Sequence, residues 1–282
     1  MDQPGQSEDQ ALVPLAPAPV DHLRRHLPGL EPDRQVTDWG RSERVEGLVD
    51  RTLYDFLYHY WFRVAVQGIE NVPATGGALL VANHAGAVPP DAAMIAKAIR
   101  EEHPNPRPVH FLAASRVSEL PGVGMLVTKI GGVPDHPANL QRLLYDEGQL
   151  VLAFPEGPSG PAKPVSERYR LRSFDHGDVV AGAIRAQVPI VPLAVLGAEE
   201  ALPVLARLSL LRRLTRLPRL NVTPVLPLPA KFTIRFLEPI DTRSLGSEPD
   251  EAEHQALAQD IRALIQENLL ELVSGRRSVW LG

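Results

Sequence analysis

Two short polar motifs carry the chemistry legible in this chain. The first, NHAGAVPPD, runs from Asn83 to Asp91. A histidine followed by an acid can supply the base and orienting half of a triad. The carboxylate accepts a hydrogen bond from one ring nitrogen and leaves the other free to take a proton. An ordinary reading stands beside it, because an acid favours a helix N-terminus and a loop histidine needs no catalytic role. The second motif, FPEG, runs from Phe154 to Gly157. A carboxylate at a strand end followed by glycine can bind a hydroxyl and aim backbone N–H groups at an anion. Proline and glycine beside an acid also make plain turns. The chain has no cysteine, which excludes disulfides, thiolate metal sites and a cysteine nucleophile. No G-x-S-x-G elbow offers a serine. The run GVGMLV from Gly122 lacks the third glycine of a dinucleotide site, and no Walker sequence is present.

The elements that must position these motifs follow from the apolar patterning. Strands are expected at Val64–Gly68, Ala78–Ala82, Val109–Ala113, Gln149–Phe154, Ile190–Leu196 and Phe232–Phe236. Helices are expected at Val49–Val64, Pro90–Glu102, Pro121–Ile130, Pro137–Glu147, Gly177–Ala186 and Asp250–Val273. In the last of these, Leu257, Ile261, Leu264, Ile265, Leu269 and Leu272 fall on one face at helical spacing. This alternation predicts an α/β fold with a mainly parallel central sheet flanked by helices. In such sheets ligands bind beyond the carboxyl ends of the strands, and both motifs follow strands directly. Residues 1–45 mix proline and acids with few large apolar groups, so a disordered or loosely attached arm is expected before a domain spanning 46–282. Tyr54, Phe56, Tyr58, Tyr60, Trp61 and Phe62 crowd the first helix. They suit either core packing or seating at a lipid interface.

Taken in order, NH…D, a Gly-Gly turn at Gly131–Gly132, FPEG, and VPIVP at Val188–Pro192 resemble the glycerolipid (lysophospholipid) acyltransferase superfamily over roughly residues 50–240. Its best-known members acylate lysophosphatidic acid. The resemblance implies a glycerol-3-phosphate acyltransferase-like fold and a His84–Asp91 catalytic pair. Six residues separate the pair here, where the family commonly has four. It also implies substrate contacts from Phe154, Pro155, Glu156 and Gly157. The family's phosphate-gripping arginine is missing from GGVPDH, Gly131–His136, where Lys129 and His136 are the substitutes at hand. Lys163, Arg168, Arg170 and Arg172 follow FPEG and either meet phosphates of the substrates or form a solvated loop; Arg168 and Arg170 are taken as the substrate contacts. The implied activity moves a fatty acyl group from acyl-CoA or acyl-carrier protein to a lipid hydroxyl. It needs no cofactor or metal beyond that co-substrate, and backbone donors near Gly157 or a cationic side chain should meet the oxyanion. The competing readings are a catalytically silent lipid-binding or scaffolding member and an acyl-thioester hydrolase.

The formal charge of −5 and pI near 6.0 give no reason to expect nucleic acid. The first twenty residues hold three acids, four prolines and no basic residue, so no signal peptide is expected. The longest apolar run, Val188–Ala198, is too short to cross a bilayer and reads as a buried strand. Between Ala201 and Leu237 every charged residue is basic. There LPVLARLSLLRRLTRL interleaves Arg207, Arg212, Arg213 and Arg216 with leucines, and Arg219 follows. An interfacial helix on anionic lipid is the expectation, with a surface helix carrying a core-facing leucine stripe as the alternative. The protein is therefore expected in the cytoplasm, peripheral on the inner face of the membrane. No oligomeric state is specified.

Overall fold

The computed structural model describes residues 36–84, 90–114, 117, 122–160, 163–174, 178–204, 206–208, 220–222, 224, 226–246 and 250–281. The first helix, α1 (Glu43–Val49), continues through two π-helical turns, Asp50–Tyr54 and Leu57–Trp61. It leads into β1 (Ala65–Gln67), and β2 (Ala78–Ala82), α2 (Pro90–Glu102) and β3 (Val109–Ala113) follow. After these come α3 (Val123–Lys129), β4 (Gly132–Pro134), α4 (Pro137–Gln141) with a π turn to Asp146, and β5 (Leu150–Ala153). The chain then forms α5 (Asp178–Ala186), β6 (Ile190–Leu196), α6 (Ala198–Ala201), β7 (Ala206–Leu208), β8 (Leu220–Val222), β9 (Thr233–Phe236) and α7 (Glu251–Gly275).

Seven strands form one sheet in the order β1-β9-β6-β2-β5-β3-β4. The strands β6, β2, β5, β3 and β4 run parallel; β9 is antiparallel to β6, and β1 runs with β9. The expected mainly parallel sheet is present. Both its faces are covered, which is why ALLVA and LVLA are apolar without alternation. Leu80, Ala82, Leu150 and Leu152 share one core with Met94, Ile95 and Ile99 of α2 and with Tyr58 and Phe62, in and just after the second π turn. Leu79, Val81 and Val151 face Leu140, Leu143, Ile184 and the α7 residues Ile261, Ile265 and Leu269. Successive strand side chains point to opposite faces, so each strand feeds both cores.

Two expectations are corrected, and the compact unit that holds the sheet is Val36–Gly282. Ser42 caps α1 by accepting from the Val45 N–H, and Arg41 is buried in a bidentate pair with Glu46 at 2.6 Å. Residues 36–45 therefore pack with the domain, while 1–35 lie outside the described residues. Gly132 starts an edge strand instead of completing a Gly-Gly turn; Gly131, at φ +101°, makes the turn alone. The leucine–arginine segment is not helical where it is described: Ala206–Leu208 pairs antiparallel with Leu220–Val222 in a separate two-stranded sheet.

Candidate active site

Three adjacent strands, β6, β2 and β5, end side by side, and each is followed within three residues by a polar residue of the site. Asn83 and His84 leave β2, Phe154–Gly157 leaves β5, and Glu199 lies just beyond β6. Helix α2 starts at the same end and places Asp91 in its first turn. Asn83 is buried, and its amide donates to the Val195 carbonyl at 2.9 Å and accepts from the Val195 N–H at 2.8 Å. It adds one side-chain rung to the ladder where β2 ends at Ala82 opposite Leu193. This fixes the chain immediately before His84.

His84 Nδ1 lies 3.0 Å from Asp91 Oδ2, with the Asp91 side chain fully buried and His84 14% exposed. A carboxylate accepts, so a hydrogen bond here is donated by Nδ1, and in the neutral ring that tautomer leaves the lone pair on Nε2. The Phe154 ring stacks on the imidazole with centroids 4.2 Å apart. The His84 backbone N–H donates to Glu156 Oε1 at 3.1 Å. The other Glu156 oxygen accepts from Lys163 Nζ at 3.0 Å and from the Arg172 N–H at 2.8 Å.

The segment 163–172 is thus a loop whose two ends close on one carboxylate oxygen. Lys163 also pairs with Glu199 Oε1 at 2.7 Å. Burial pushes the Glu199 carboxyl above its ordinary pKa, against the pull of Lys163. Further along, the Tyr169 N–H donates to Glu199, and the Tyr169 hydroxyl donates to Glu200, which also binds Arg276 at 2.6 Å. Burial and the Glu200 bond push the Tyr169 hydroxyl up to about 12.

The residues expected at the site divide accordingly. His84, Asp91, Phe154 and Glu156 meet. The Glu156 carboxylate is committed to the protein's own groups, so it braces His84 where a substrate hydroxyl was expected. Gly157, at φ +54°, donates its N–H to the Phe154 carbonyl at 2.9 Å, so that amide serves the turn and not an oxyanion. Gly160 packs tightly here: a Cβ would come within 3.3 Å of the His84 carbonyl and 3.0 Å of Glu156 Cβ, so a side chain there would press on both. Pro155 is buried beneath the turn. Arg168 and Arg170 are exposed, whereas Arg172 bridges to Glu167.

Lys129 precedes β4 at the amino end of the sheet, the end away from His84. His136 lies at the carboxyl end but three strands from β2, about 14 Å across the sheet. Its Nδ1 accepts from the Ala138 N–H and caps α4, so that nitrogen has no proton to offer a phosphate. Arg207 lies on β7, and Arg212, Arg213, Arg216 and Arg219 lie outside the described residues. Sequence reasoning missed the clasping of Val195 by Asn83 and the pairing of Lys163. A lone lysine ten residues after the end of β5 gives no signal of which acid it will meet. A groove of about 540 Å³ lined by Trp39, Arg107, His110 and Glu147 lies at the amino end of the sheet, remote from His84.

The site stands where α/β enzymes with mainly parallel sheets place theirs, beyond the carboxyl end of a central strand. Residues 63–196 match the acyltransferase family, and the chain belongs to that family. It is 38% identical to the uncharacterized protein Rv0502 of Mycobacterium tuberculosis over 282 residues, covering 96% of this chain and 78% of that one. It is equally identical to the uncharacterized protein ML2427 of Mycobacterium leprae over 271 residues, covering 92% and 73%. Its fold is similar to the crystal structure of the 1-acyl-sn-glycerophosphate (LPA) acyltransferase PlsC from Thermotoga maritima. The TM-score is 0.56 at 20% identity, over 83% of this chain and 80% of that chain.

Proposed function

We propose that this acyltransferase moves a fatty acyl group from an acyl thioester, acyl-CoA or acyl-carrier protein, to a hydroxyl of a lysophospholipid or related lipid. The observation that carries the reading is the 3.0 Å contact between His84 Nδ1 and buried Asp91 at a strand exit. His84 Nε2 takes the proton of the acceptor hydroxyl, whose oxygen bonds to the thioester carbonyl carbon. The C–S bond then breaks, and the thiolate leaves and takes the proton back from the imidazolium. General base assistance of this kind is worth about 10²–10⁴-fold. Asp91 holds the tautomer and stabilises the imidazolium. A thiol with pKa near ~8.5 leaves readily, so the reaction needs no covalent enzyme intermediate. Arg168 and Arg170, exposed on the loop whose two ends close on Glu156, are the cations we assign to phosphate on either substrate.

The acceptor is taken from a bilayer that the protein touches without crossing. Among the described residues no helix is long and apolar enough to span a membrane. Support for contact comes from Phe56, Tyr60, Leu226 and Trp280, all substantially exposed. Arg63 gathers this patch by donating to the carbonyls of Tyr60, Trp61, Pro229 and Trp280. β1 and β9 run against β2, so these residues, flanking the starts of β1 and β9, lie at the His84 end of the sheet.

The test is thiol release from acyl-CoA and acyl-carrier protein against a panel of lysolipids. Acceptor-dependent release is expected, with His84→Ala inactive and Asp91→Asn down by about 10⁴-fold, as for a triad acid. Arg168→Glu with Arg170→Glu should raise KM for a phosphate-bearing substrate. Release without acceptor would make the protein a hydrolase, and release under no condition would make it a silent lipid-binding member.

A further inference from the structure

Lys163 is 3% exposed along its side chain and lies between two buried carboxylates, Glu156 at 3.0 Å and Glu199 at 2.7 Å. A buried ammonium is costly unless paired, and apolar side chains of similar volume often serve stability equally well. The arrangement therefore asks for a use beyond holding the fold together. Its geometry names one. Glu156 divides its two oxygens between two tasks: Oε2 takes Lys163 and the Arg172 N–H, and Oε1 takes the backbone N–H of His84. β2 has ended at Ala82, so no strand neighbour holds the His84 N–H, and the carboxylate substitutes for the missing ladder. If Lys163 is lost, a buried carboxylate is left without its cation and is free to turn or protonate. Either change slackens its hold on His84.

We infer that Lys163 is a positioning residue for the His84 base, acting through Glu156 and itself held by Glu199. It touches no substrate, being enclosed by the two acids. The inference deepens the acyl-transfer reading and rests on it for its kinetic consequence, though not for its structural one. Misplacing a reacting group by about 1 Å can cost about 10²-fold in rate. Lys163→Met should therefore lower kcat by about 10- to 100-fold while leaving KM for the thioester nearly unchanged.

The experiment pairs amide hydrogen exchange with kinetics on the full chain. In Lys163→Met the His84 amide should exchange at least about tenfold faster, with the amides of Leu152 and Val191 in the neighbouring strands unchanged. Glu199→Gln keeps an acceptor for the Tyr169 N–H, so it serves if Lys163→Met fails to fold. It should speed His84 exchange severalfold. Unaltered His84 exchange in the folded variant overturns the inference. A double-mutant cycle with Glu156→Gln supplies the kinetic arm. Losses of kcat that fail to add support one shared route, and additive losses show that Lys163 acts by another path. If the wild type releases no thiol from any substrate, the acyl-transfer reading falls by itself. The exchange of the His84 amide still decides whether Lys163 positions it.

Discussion

His84 and Asp91 stand seven positions apart and still meet at 3.0 Å, because one leaves a strand and the other opens the helix that returns beside it. The six-residue spacing between them leaves the carboxylate in contact with the ring. A second histidine behaves in the opposite manner. His110, on β3 at the other end of the sheet, is buried, and no hydrogen-bond partner reaches its Nδ1 among the described residues. Burial, then the nearby Arg41 charge, lowers its pKa from 6.5 to about 4. The folded state thus binds this proton less readily than the unfolded one. Its contribution to stability is complete above about pH 6.5 and is lost as pH falls toward about 4. His110→Leu should flatten that part of the profile, by an amount on the order of a few kcal/mol. Thermal unfolding of both proteins at pH 7 and pH 5 measures it. An equal drop in Tm for the two would refute the assignment.

At the level of elements, the site depends on what holds a strand end in place once the ladder stops. Asn83 supplies one answer with its two bonds to Val195. Asn83→Ala leaves the Val195 N–H and C=O unpaired and buried, at about 1–3 kcal/mol each. A total loss of about 2–4 kcal/mol is expected in denaturant unfolding, with kcat falling as His84 loosens. A stability change below about 0.5 kcal/mol would mean that the rung is replaceable. The loop after β5 supplies the other answer, since Glu156 and Gly160 press it against His84. Two neighbouring strand ends thereby restrain one histidine from both sides.

For the molecule as a whole, the distribution of exposed apolar groups sets the expected orientation on lipid. Phe56, Tyr60, Leu226 and Trp280 are exposed in the segments before β1, before β9 and at the end of the chain described, and the basic residues Arg207 to Arg219 fall between β6 and β9 in the sequence. Each basic residue near an anionic surface contributes about 1 kcal/mol, screened within a Debye length. Cosedimentation with anionic vesicles should fall sharply at high salt. Arg212→Glu, Arg213→Glu and Arg216→Glu together should remove the salt-sensitive part, and Phe56→Ser with Tyr60→Ser the salt-resistant part. Equal binding by all three proteins at low and high salt would show that lipid reaches the site by another route.

The sequence by itself determined the period of each long element and the class of sheet. Ala78–Ala82, Pro90–Glu102, Val109–Ala113 and Ile190–Leu196 are bounded as their apolar runs dictate, because local periodicity and burial agree there. It also marked His84, Asp91 and Glu156, since strand–polar–helix junctions are local patterns. Pairings across the chain were decided only by tertiary structure. Nothing near Lys163 announces Glu199, and nothing near Asn83 announces Val195, more than a hundred residues on. The short edge strands β4 and β7 were equally hidden, because three residues carry too little periodicity to declare a strand, and a partner strand makes them one. The bonds Glu156 accepts from His84, Lys163 and Arg172 were hidden for the same reason. A carboxylate's task is fixed by which donors the fold brings to its two oxygens.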